Sequence, residues 1–89
     1  MDYAQVHALT TSTIRGMYDR IPAQYHNGFE VAFGAGELRQ AVDMLIGGLK
    51  RFHTPITPAE RDNLARVLRH LEEPESRLAG INVGAAPSD

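Results

Sequence analysis

A chain of 89 residues has the size of one domain, and about 60% of the surface its unfolded form exposes can be buried, enough for one modest core. With 43% hydrophobic and 22% charged residues it lies far from compositions that stay unfolded, and a formal charge of −2 supplies no overall basic footprint for nucleic acid. The absence of cysteine excludes disulfides, thiolate metal sites and thiol nucleophiles, and leaves packing alone to stabilise the fold.

No apolar run approaches the roughly 18 residues of a membrane span. Met1-Asp2-Tyr3 also lacks the basic-then-apolar layout of a signal peptide, so a soluble cytoplasmic protein is expected.

The first helix is predicted from Tyr3 to Arg20, capped by Asp2. Tyr3, Val6, His7, Thr10, Ile14, Met17, Tyr18 and Ile21 recur along one side at helical spacing. The run Thr10-Thr11-Ser12-Thr13 has low helix propensity and weakens its middle, and Pro22 ends it. Between Pro22 and Gly36 the signals conflict: Asn27-Gly28 suggests a turn, and Phe29-Glu30-Val31-Ala32-Phe33 alternates like a strand with no partner strand. An irregular segment is expected there, with one helical turn at Ala23–Asn27 and its large apolar residues plugging an end of the core.

The second helix is predicted from Glu37 to Phe52, with Leu38, Val42, Leu45, Ile46, Leu49 and Phe52 as its core face. After the connection His53–Ile56, Thr57-Pro58-Ala59-Glu60 is a capping box with proline at the first helical position. The helix that follows buries Leu64, Val67, Leu68 and Leu71, and carries exposed i,i+4 pairs at Asp62/Arg66 and Arg69/Glu73. Pro74–Ala79 reads as a further turn or two closed by Gly80, with Leu78, Ile81 and Val83 covering the open side. Residues 1–83 thus form one domain, an all-α bundle of three to four helices with an irregular segment after the first, and 84–89 are expected to be a disordered tail.

Chemistry-bearing residues are scattered. His7, His26, His53 and His70 show no metal-ligand spacing, and Ser12, Ser76 and Ser88 stand in no nucleophile motif. Gly34-Ala35-Gly36 lacks the preceding strand and following lysine of a phosphate loop. No catalytic residue, cofactor or metal is expected.

Recognition is the remaining reading. Gly47 and Gly48 inside a helix cost about 1 kcal/mol each relative to alanine, which points to a close neighbouring helix, to early fraying of the helix, or to a partner needing a flat surface. Met44 lies beside them, outside the core stripe, flanked by Glu37, Gln40 and Asp43; an adaptable apolar residue rimmed by polar groups makes a docking patch. Glu72, Glu73 and Glu75 form a second acidic feature suited to a basic cleft.

From Phe33 to Val83 the chain resembles a family. Phe33-Gly34-Ala35-Gly36-Glu37-Leu38, then Leu45 and Leu49, then Thr54-Pro55-Ile56-Thr57-Pro58-Ala59-Glu60 and a closing acid-proline turn are similar to small Maf-type and contact-dependent-inhibition immunity proteins. The resemblance implies a cytoplasmic helical antidote that binds the C-terminal toxic domain of a cognate bacterial toxin, often a nuclease, and blocks its active site or substrate surface. It implies neither nucleic acid nor membrane as a direct partner. Two alternatives stand beside it. One is a DNA-binding or transcription-regulating domain using Lys50, Arg51, Arg61, Arg66 and Arg69, although the proline-rich connection after Phe52 departs from a helix-turn-helix turn. The other is a non-catalytic adaptor subunit with a large apolar interface.

Overall fold

The computed structural model of the protein describes residues 2–84. Their helices are α1 (Tyr3–Arg15), α2 (His26–Gly34), α3 (Leu38–Arg51) and α4 (Pro58–His70), with 3-10 turns at Tyr18–Arg20, Ala23–Tyr25 and Glu75–Leu78. The all-α bundle is the expected one; the irregular segment is not.

Helix α1 starts at a reciprocal cap. The Asp2 carboxylate accepts from the Gln5 N–H (2.9 Å), and Gln5 Oε1 accepts from the Asp2 N–H (3.0 Å). The hydroxyl run does not break the helix, because Thr10, Thr11 and Thr13 are buried and the Thr10 hydroxyl donates back to the Val6 carbonyl at 2.8 Å. The helix stops at Arg15, short of the predicted Arg20. The chain turns at Gly16, after which Met17 is buried in the core and the Tyr18 ring lies 5.8 Å from that of Phe29 in α2.

Residues 26–34, expected to be irregular, form α2. Phe29, Ala32 and Phe33 are buried at i, i+3 and i+4, whereas Val31 is 62% exposed, so the alternating pattern is overruled by the helical one. A lone strand would leave its backbone groups unpaired, while a helix satisfies them internally and presents both phenylalanines to the core. The end of α2 is set by Gly36 at φ +73, where the N–H groups of Gly36 and Glu37 close on the carbonyls of Phe33 (3.1 Å) and Ala32 (2.9 Å). Gly34-Ala35-Gly36 is therefore a helix terminus.

Helix α3 buries Leu38, Ala41, Val42, Leu45, Ile46 and Leu49. Phe52, predicted to share that face, is 46% exposed. The helix ends at Arg51, and His53 takes the left-handed conformation (φ 52) as Thr54 donates back to Leu49 at 3.0 Å, which leaves Phe52 outside the packed stripe.

Helix α4 carries both halves of its capping box: Glu60 N–H to Thr57 Oγ1 at 3.1 Å and Thr57 N–H to Glu60 Oε1 at 2.8 Å. Leu64, Val67 and Leu68 are buried, with Leu71 partly so. Its expected surface pairs do not form among the described residues. Glu72 turns left-handed (φ 59) after the helix, so Glu73 leaves the register of Arg69 and meets Arg39 (3.8 Å) and Arg77 (3.7 Å), while Arg69 meets Glu75 (3.5 Å).

Helix α1 packs on α3 and α4, α2 packs on α3, and the last 3-10 turn packs on α4. Leu78 and Ile81 close the open side as expected, and Val83 remains partly exposed. Ile56, buried between α3 and α4, donates to Asn82 (2.9 Å) and accepts from Gly84 (2.9 Å), clamping the C-terminal stretch onto the α3–α4 connection. Gly84, expected to begin a tail, is thus tied down; 85–89 lie outside the described residues. No described helix is long and apolar enough to cross a membrane.

Candidate functional site: an apolar groove beside α3

The clearest concavity is an open groove of about 380 Å³ along the outer side of α3. Its floor is Gly47 and Gly48, together with the edges of Leu45 and Leu49, whose side chains point into the core. At neither glycine would an added Cβ meet another atom within 4 Å, so no neighbouring helix lies over them. Of the readings weighed for their helical cost, close packing of a neighbour is not what the fold shows, and nor is fraying, since α3 continues to Arg51. Met44 forms one side of the groove, and its Cε reaches to 3.0 Å from the position a Cβ of Gly28 would take. Ile21, Pro22 and Tyr25 form the opposite lip, with Phe29 behind them. At one end Tyr25 and Phe52 face each other at 6.1 Å between ring centroids, both partly exposed, and the Arg51 guanidinium lies 5.7 Å from the Phe52 ring centre.

Two polar ties hold this lip in place. Arg20 grips Glu60 through its two terminal guanidinium nitrogens, Nη1 and Nη2, joining the turn after α1 to the first turn of α4; these bonds, opposed by partial burial, keep the Glu60 carboxyl below the usual range. Farther along, Glu30 accepts from Arg15 Nε (3.0 Å) and the Tyr18 hydroxyl (2.7 Å), and these bonds hold its carboxyl at about 2. Partial burial, reinforced by the Glu30 carboxylate, pushes the Tyr18 phenol up to about 12. The Tyr18 ring stacks on His26 at 4.1 Å, and His26 Nε2 donates to the Tyr18 and Ile21 carbonyls (3.0 and 3.1 Å). These bonds fix the backbone that presents Ile21 and Pro22.

The residues singled out in the sequence divide among separate places. Asp43, Met44 and Gly47 line the groove. Glu37 and Gln40 are exposed near the start of α3, where Glu37 borders a smaller depression of about 230 Å³ with Tyr3 and Arg39. Glu72, Glu73 and Glu75 lie at the corner after α4. There Arg77 bridges Asp43 and Glu73, and Arg39 also donates to the Leu71 carbonyl (3.0 and 2.7 Å), so much of the acidity is neutralised by arginine. Among the cations weighed for DNA, Arg69 pairs with Glu75; Lys50, Arg51, Arg61 and Arg66 have no carboxylate within ion-pair distance among the described residues.

His7 Nε2 donates to the Phe33 carbonyl at 3.0 Å, and no three His, Asp or Glu side chains gather as a metal site among the described residues. Sequence reasoning missed Ile21, Tyr25 and Phe52 as groove residues, having assigned Ile21 and Phe52 to helical core faces. The available signal was Gly47-Gly48, which marks a helix face left open among the described residues. The chain matches no protein-family model, no curated protein and no solved structure.

Proposed function

We propose that this protein works by binding another protein, and that the groove beside α3 is where it does so. The carrying observation is Gly47-Gly48: two helix-weakening residues side by side with open space above them, flooring an apolar trough. The trough's edges support a macromolecular occupant, because Tyr25, Phe52, Met44 and Arg51 are residue types enriched where proteins meet.

The narrower reading, a toxin-neutralising immunity protein, is motivated by the Phe33–Val83 resemblance alone. Inhibition then follows if the α3 side of the molecule covers a working surface of the toxin. The test is co-expression with candidate toxic domains encoded by neighbouring genes. Protection of cells and a co-purifying complex are expected, with both lost on Gly48→Trp, which fills the groove, and retained on Arg66→Glu, on the exposed side of α4. Absence of any complex overturns the immunity reading; a complex indifferent to Gly48→Trp overturns the groove as its site.

A further inference from the structure

Each charge that lines the groove can be assigned a counter-charge except one. Arg20 is held by Glu60, with Asp19 3.5 Å from its Nε; Asp43 is held by Arg77; Arg51 has no carboxylate partner among the described residues and rests against the Phe52 ring. An occupant therefore meets an apolar floor and, at the Tyr25–Phe52 end, an uncompensated cation.

We infer that the groove takes a peptide segment of the partner protein in which an apolar side chain is closely followed by a carboxylate. The apolar group fills the space above Gly47-Gly48, and the carboxylate meets Arg51. This deepens the protein-binding function proposed above and rests on it. A peptide fits better than a long-chain anionic lipid because the groove is shallow. Leu45 and Leu49 behind it are only 1% and 2% exposed, so the core is closed and no tunnel leads inward for an acyl chain. The volume lies at the small end of the roughly 300–1,000 Å³ usual for ligand sites, and a floor without Cβ atoms admits a backbone lying flat. Covering the mouth removes water from the Arg51 guanidinium and its aromatic support, which strengthens the attraction to a carboxylate.

The experiment is selection of a random peptide library displayed on phage against the wild-type protein, with removal of clones that also bind Gly48→Trp. Survivors are expected to place Asp or Glu within a few positions of a large apolar residue. Their synthetic forms should lose about ten-fold in affinity on Arg51→Glu, bind more weakly at high salt, and regain affinity for Arg51→Glu when the acid is changed to lysine. Survivors without acidic preference, or an affinity unmoved by Arg51→Glu, overturn the charge assignment while leaving the groove a protein-binding site. A library without any groove-dependent clone, with decanoate binding in an Arg51-dependent way, overturns the peptide and the protein-binding function together.

Discussion

Glu30 ties the end of α1 to α2. Its carboxylate accepts from Arg15 and Tyr18, and these bonds lower its pKa to about 2 from an ordinary 4.5. A carboxyl depressed in the folded state contributes stability that is complete above the unfolded value and lost as pH falls through the folded one. Unfolding followed by circular dichroism should therefore show the midpoint falling between about pH 4.5 and 2. Glu60, also depressed, acts in the same direction. Because the Glu30 side chain is 42% exposed, salt should screen part of the effect. Glu30→Gln should be less stable near neutrality and show a shallower acid dependence; an identical acid profile would remove Glu30 as a contributor. None of this was legible beforehand, because residues 15, 18 and 30 are joined only by the turn at Gly16 and by α2's being helical.

The starts of α1 and α4 were read better than their ends. Thr57-Pro58-Ala59-Glu60 marks a helix start because its reciprocal hydrogen bonds involve neighbours in sequence, and it forms as read. Helix α2 was missed because Asn27-Gly28 and Gly34 lower local propensity, and Phe29 and Phe33, four apart, fit both periodicities while Val31 fits only the strand's; packing on α3 decides between them. The end of α3 was read to within a residue, whereas α4 stops at His70, before Glu73 can fall in register with Arg69; both close on a left-handed residue that is not glycine, His53 and Glu72, where no glycine signals the stop. The left-handed cost of about 1–2 kcal/mol, less the larger entropy that glycine loses on folding, leaves Glu72→Gly about 0.5–1 kcal/mol more stable. Chemical denaturation would measure it; a loss of stability would mean that the Glu72 side chain supports the corner.

For the molecule as a whole, α3 has two unlike sides. One carries the aliphatic stripe that α1 and α2 cover, and that stripe was plain in the sequence. The other carries Met44, Gly47 and Gly48, and becomes a groove only when Ile21 and Tyr25 arrive from the α1–α2 connection and Phe52 is left out of the core. Two distant stretches, residues 20–29 and 43–54, meet there, so periodicity within either of them could not show the site. The two helical glycines do nothing for the fold that alanine would not do better. Replacing Gly47 and Gly48 with alanine, singly and together, and recording thermal unfolding separates a recognition surface from a packing requirement. Each substitution should stabilise by about 1 kcal/mol, raising the midpoint by about 4–8 °C in a domain of this size. A lowered midpoint would show that the fold itself needs these glycines, and the groove would lose its claim to be a binding site.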